Sequence, residues 1–256
     1  MNDTTPGAVP ARTLVVEVVI VMWVSLGASA LRALLDFMNR LTIVTPLNEQ
    51  TVSIVTPFTP DRPWLDILYH GAGIIIPLGA VALVWYLLHA SGESMATIGV
   101  DATEPGRDLI RGLLLFAVIG GGGLLLYLGA VQLGVNAQIA PATIGDQWFD
   151  LPVLLLRALE SAVLEEVIVL GYLLHRLRQI GVGTWWAIAI SAVLRGAYHL
   201  YQGIGGFVGN IVMGVIFGWL FLRWRRTMPF IIAHFLIDAV AFIGYALLAD
   251  RVDWLP

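Results

Sequence analysis

Runs of apolar residues near 13–38, 65–89, 109–133, 151–175, 184–201, 206–222 and 229–248 set the first constraint on this chain. A bilayer core is about 30 Å thick and takes about 20 apolar residues as a helix. Inside lipid every backbone N–H and C=O needs a partner within the protein, so runs of this length coil into helices. The fifth and sixth runs are short. The pattern therefore predicts an all-α, polytopic transmembrane helical bundle of about seven spans (six to eight). Composition agrees, with 58% hydrophobic and 12% charged residues, where an ordinary soluble domain is nearer a quarter charged.

The polar remainder narrows the function classes. A net charge of −4, spread along the chain, gives no nucleic-acid footprint. Cysteine is absent, which removes disulfides, thiol nucleophiles and thiolate metal sites. Every basic residue is Arg. "ASA" at 28–30 mimics a signal-peptide cleavage site, but the apolar run continues past it to Met38, so a first transmembrane helix is expected. With the amino terminus inside, inside segments hold Arg12, Arg107, Arg111, Arg176, Arg178, Arg223, Arg225 and Arg226, and outside segments only Arg40, Arg62 and Arg251. That asymmetry predicts an amino terminus on the inner face. Trp185, Trp186, Trp219 and Trp224 near span ends suit an aromatic belt. "GGGG" at 120–123 and Gly205, Gly209, Gly214 and Gly218 predict close helix packing.

Ionisable groups inside spans are costly and are functional candidates by default. Glu17 lies about a turn from an inner edge and is expected to snorkel. The fourth span holds Arg157, Glu160, Glu165 and Glu166, the fifth Arg195 and His199, and the seventh His234 and Asp238. Arg195 and His199 are four apart and share a helix face, as do His234 and Asp238. Arg157 and Glu160, three apart, form an expected structural pair. Glu165 and Glu166 point about 100° apart, so their partners differ. Two imidazoles and several carboxylates on three helices suit the activation of water, by a carboxylate base or on a zinc that keeps one position open. A buried polar network that only locks helices together is the alternative use of the same groups.

Three segments carry a resemblance. "EEVIVLGYLL" (165–174), "SAVLRGAYHL" (191–200) and "PFIIAHFLIDAV" (229–240) resemble the EExxxR, FxxxH and HxxxN/D motifs of the CAAX-protease and bacteriocin-processing (Abi) family. These are intramembrane endopeptidases related to the type II CAAX prenyl protease. "SMATIGVDATEPGRDLIRGLLL" (94–115) resembles the segment that often precedes their core. The resemblance implies a transmembrane region over 1–148 and a protease-like core over 149–250. It implies catalytic roles for Glu165, His199, His234 and Asp238, with Glu165 as the water-activating base and Glu166 as a supporting carboxylate; Arg195, at a position where the family pattern differs, is a further supporting residue. If a divalent metal such as zinc is used, His199, His234 and Asp238 are the ligands it implies; a metal-free glutamate–histidine mechanism stays equally open. The partners implied are membrane lipid and a peptide or membrane-protein substrate, in a bacterial cell membrane. Two positions depart from the pattern: Leu170 stands for the Arg of EExxxR, and Arg195 for the Phe of FxxxH. The swap keeps one Arg in the buried set and predicts an ion pair between Arg195 and Glu166, with Glu160 as the other acceptor. Two further readings are a family member without catalysis, acting as a scaffold or immunity-type protein, and a proton-coupled transporter. Counting 1.5 Å per residue from the inner ends puts Glu165, His234 and His199 at different depths, which straight spans with level ends cannot bring together.

Overall fold

The computed structural model describes residues 9–142 and 147–248; Arg251, one of the orientation residues, falls outside them. Seven long helices correspond one for one to the apolar runs: α1 (Ala11–Leu41), α2 (Pro63–Ala90), α3 (Pro105–Gln132), α4 (150–179), α5 (Thr184–Tyr198), α6 (Ile204–Trp224) and α7 (Met228–Leu248). The protein is a helical membrane bundle. All but α4 and α5, five helices in total, are long and apolar enough to cross a bilayer by themselves. Helix α4 is long enough but carries the buried charges. Helix α5 has 15 residues, about 22 Å at 1.5 Å per residue, and ends at Tyr198 rather than at 201.

Three of the helices contain a wider, π-helical stretch: Trp23–Gly27 in α1, Phe116–Gly120 in α3 and Glu166–Tyr172 in α4. Such insertions re-aim the side chains that follow them and often mark functional sites. In α4 the stretch begins at Glu166 and is buried throughout.

Two short strands interrupt the helical pattern. β1 (Thr51–Val55) pairs in parallel with β2 (Gln138–Ala142). Both regions read as loops in the sequence, since five-residue strands, the second broken by Pro141, carry little pattern of their own. The pair joins the α1–α2 and α3–α4 connections at one end of the bundle, and Asn136 bridges to Gly203 of the α5–α6 turn beside it. At the other end Thr227 donates to Gly99 O at 2.9 Å, tying the α2–α3 loop to the start of α7. Gly99 has φ +73°, and a Cβ there would lie 2.3 Å from the Arg226 Cα, so only glycine permits this contact.

Small residues set the helix spacing. A Cβ on Gly214 would lie 2.8 Å from Ala192 and one on Gly218 would lie 3.3 Å from Ile188, so α6 packs tightly on α5. Gly205 and Gly209 abut Ala130 and Leu126 of α3 in the same way. The run at 120–123 differs: Gly120 faces Ile237, but a Cβ on Gly121, Gly122 or Gly123 would meet nothing within 4 Å. Glu17 also departs from expectation. It turns inward, 3.7 Å from Arg176, because that buried guanidinium attracts it more than the interface does.

Candidate active site

The motif residues of α4, α5 and α7 meet in one buried network. Arg195 Nη2 lies 2.6 Å from Glu166 Oε1, so the ion pair expected from the Leu170 and Arg195 swap is present. Arg195 Nη1 lies 3.5 Å from Glu165 Oε2, which places one guanidinium across both carboxylates. Glu166 Oε1 also faces His234 Nδ1 at 2.7 Å, and His234 Nε2 lies 3.4 Å from Asp238 Oδ2. The neutral imidazole can donate to one of these acceptors and the imidazolium to both. His234 is therefore clamped between carboxylates of two helices. Arg157 and Glu160 form their expected pair at 3.5 Å, and Arg157 also donates to the Gly73 carbonyl of α2 at 2.6 Å.

The depth problem is resolved by the helix ends. Gly171 of α4 abuts the Thr227 side chain, where α7 begins. Helix α4 thus runs eight further residues beyond that level, to Gln179. Its last turns pair with the Ser91–Glu93 loop through Arg176 and His175. The helix ends on this side of the bundle share no common plane. Once this offset is counted, Glu166 and His234 are level. Helix α5 starts at Thr184, directly after this overhanging end, so His199, 15 residues on, comes level with Glu165, 14 residues before Gln179.

His199 caps α5 with φ −100° and ψ 1°. Its Nδ1 lies 3.0 Å from the Arg195 carbonyl oxygen. A carbonyl only accepts, so Nδ1 carries the proton and Nε2 keeps its lone pair in the neutral ring. The ring packs between Tyr198 and Tyr201, with centroids 4.7 and 6.4 Å away. Glu165 and His234 both interact with it electrostatically. Tyr198, which the sequence reading passed over, donates its hydroxyl to Glu165 Oε2 at 2.7 Å. The signal was its place directly before His199, three residues after Arg195 and so on the same face. Glu165 Oε1 has a long bond from Ser161 at 3.4 Å, and Glu166 Oε2 is buried with no hydrogen-bond partner.

Among the described residues, the donor atoms that converge within 4.8 Å are those of Glu165, Glu166 and His234. The trio named for a metal, His199, His234 and Asp238, does not form such a group: His199 turns Nδ1 to its own helix, and Asp238 is spent on His234 Nε2. The converging set also fits a divalent cation poorly. Arg195 already supplies positive charge to both carboxylates, and His234 Nδ1 is engaged by Glu166. Only the unpartnered Glu166 Oε2 would favour one.

No curated protein and no solved structure matches the chain. The family model described as type II CAAX prenyl endopeptidase Rce1-like matches residues 147–240. That segment holds all three motifs and the contacts among Glu165, Glu166, Arg195, Tyr198, His199, His234 and Asp238. Over that segment the chain is similar to the type II CAAX prenyl endopeptidases, a family of membrane-embedded proteases.

Proposed function

We propose that this integral membrane protein is an endopeptidase that hydrolyses a peptide or membrane-protein segment at or within a bacterial cell membrane, with residues 149–250 as its catalytic core. The observation that carries the reading is the division of labour between two adjacent carboxylates. Glu166 has Arg195 and His234 on one oxygen, while Glu165 keeps Oε1 almost free beside the bonded Oε2. A structural network has no need of a lightly held carboxylate in so dry a place.

In this reading Glu165 takes a proton from a water molecule whose oxygen bonds to the scissile carbonyl carbon. His199 orients that water through the Nε2 lone pair left by its backbone bond. The oxygen of the former carbonyl gains negative charge, which His234 and Arg195 offset as fixed positive or donating groups. Glu165 then returns the proton to the leaving nitrogen as the C–N bond breaks, which releases a carboxylic acid and an amine and restores the Glu165 carboxylate. Tyr198 holds Glu165 in one rotamer. No step needs a metal.

The test is Glu165→Gln in purified protein reconstituted in lipid. The amide keeps volume and accepts the Tyr198 hydrogen bond but cannot act as base. Turnover of a membrane-inserted peptide should fall about 10²- to 10⁴-fold with thermal stability near that of the unaltered chain. Retention of most turnover by the Gln variant would remove Glu165 as the base.

A further inference from the structure

Helix α1 carries a charge that the motifs do not use. Arg32 lies in this membrane-spanning helix, is exposed, and has no hydrogen-bond or ion-pair partner among the described residues. Asp36, one turn on, makes no contact with it. A guanidinium without a counter-charge in the protein is open to an anionic ligand.

The surroundings form a site. Arg32 lines a cavity of about 480 Å³ between α1 and α2, together with Ser25, Ser29, Pro77 and Gly79, and Leu164 forms its floor. That volume falls in the range of small-ligand clefts, roughly 300–1,000 Å³. Both walls are deformed where the cavity sits. Helix α1 has its π-helical stretch at Trp23–Gly27, after which it packs on α5 and the 200–202 turn. Helix α2 carries Pro77 in its interior, which frees one backbone hydrogen bond and bends the helix. The helices therefore part where α4 presents Leu164, the residue before Glu165.

We propose that this cavity is the entry subsite by which a membrane-docked peptide reaches Glu165, and that Arg32 binds a carboxylate on that peptide, either its C-terminus or an Asp or Glu side chain. The proposal rests on the endopeptidase reading above. A peptide suits the lining better than an acyl chain does. Ser29 stands about one turn from Arg32, and Ser25, whose hydroxyl donates to Val21 O, keeps lone pairs for a peptide N–H. An acyl chain would leave these hydroxyls unused.

The absence of cysteine permits a direct test. A Cβ at Gly79 meets nothing within 4 Å, so Gly79→Cys carries a bimane label into the cavity without a clash. The labelled full chain, with Glu165→Gln to prevent turnover, is placed in zwitterionic nanodiscs. It is titrated with a membrane-inserting peptide bearing a free C-terminus and one Glu. Saturable quenching is expected, about tenfold weaker for a peptide lacking both carboxylates and about tenfold weaker after Arg32→Gln. Amidation alone and Glu→Gln alone identify which carboxylate is bound. Equal quenching by the neutral peptide, no effect of Arg32→Gln, or a response set only by anionic lipid would overturn the proposal. In parallel, Gly79→Leu in the otherwise unaltered chain should raise KM for the inserted peptide. Bimane binding without any hydrolysis by the unaltered chain would sink the endopeptidase reading and leave the subsite; hydrolysis with a silent probe would do the reverse.

Discussion

Two buried arginines of this chain sit in opposite kinds of company. Arg226, in the α6–α7 turn, uses all three guanidinium nitrogens: Nε and Nη2 on the Asp108 carboxylate, Nη1 on Asp101 and Thr103, and Nη2 also on the Asp101 carbonyl, at 2.6–3.0 Å. The Thr103 hydroxyl and N–H, with Arg226 beside them, hold the Asp101 carboxyl below its usual range. Hydrogen bonding to Asp108, with the charge of Asp101 added, holds the Arg226 guanidinium still further from deprotonation. Arg195 instead meets Glu166 closely, Glu165 at only 3.5 Å, and leaves Glu166 Oε2 buried and unpartnered nearby. A cluster that only fastens two loops saturates its bonds, because every open one costs stability. A cluster that must accept water and a substrate carbonyl keeps acceptors open, and the fold carries the cost.

The sharpest test of that contrast is to remove the saturated arginine. Arg226→Leu strands Asp108, which is 2% exposed, and unties the α2–α3 loop from α7. Breaking a buried pair from one side costs about 3–5 kcal/mol. The variant should show a large loss of melting temperature in detergent, with activity lost only as folded protein is lost. A melting temperature close to that of the unaltered chain would mean that the clasp is ornamental.

Arg195→Phe should cost somewhat less, about 3 kcal/mol, because His234 still donates to the fully buried Glu166. It should also abolish turnover. Adding Leu170→Arg rebuilds the family arrangement, with Arg four residues after Glu166, and should recover both stability and activity. Leu170 is itself 1% exposed, so Leu170→Arg alone should destabilise. A double variant no better than Arg195→Phe would end the compensation idea.

These two clusters were unequally legible in the sequence. The pairing of Arg195 with Glu166 followed from counting charges that lipid would not tolerate alone, and the seven helices followed from apolar length. The clasp was not legible: Asp101, Thr103 and Asp108 stood out only as part of the 94–115 segment, and Arg226 only as one of the arginines that set orientation. Tyr198 escaped because an aromatic beside a motif His reads as core packing, and its hydroxyl has no sequence signature. The π-helical stretch at Glu166–Tyr172 leaves no periodicity to detect, although it sets where both carboxylates point. The level of each helix end depends on tertiary contacts such as Gly171 on Thr227, which apolar run lengths do not encode.

Tyr198→Phe probes the open cluster more gently. One hydrogen bond to a carboxylate is removed, worth about 1.5 kcal/mol, roughly a tenfold change in rate. If Tyr198 positions the base, kcat should fall about tenfold while KM stays near its original value, since no substrate contact is lost. A change confined to melting temperature would make Tyr198 a packing residue, and the open cluster would then look more like the clasp.

The smallest effect belongs to a third cluster, intermediate between the other two. Glu93, in the α2–α3 loop, faces His175 Nε2 through Oε1, with Gln179 donating at 2.9 Å, and takes Arg176 and the Ser91 hydroxyl on Oε2. Its side chain is 18% exposed. Burial pushes the carboxyl up, but His175, Arg176 and Ser91 together outweigh it and hold Glu93 below its ordinary value of 4.5. The folded chain therefore keeps Glu93 ionised to lower pH than the unfolded chain does. Its stabilising contribution is complete above about pH 4.5 and is lost as pH falls through the lower, folded value. Glu93→Gln should accordingly cost about 1 kcal/mol at pH 7. The gap in melting temperature to the unaltered chain should narrow steadily below about pH 4.5. Arg226→Leu, measured over the same range, should stay far below both chains. A Glu93→Gln gap that is constant from pH 7 to pH 3 would show that shape, not charge, is what Glu93 contributes at this end of α4.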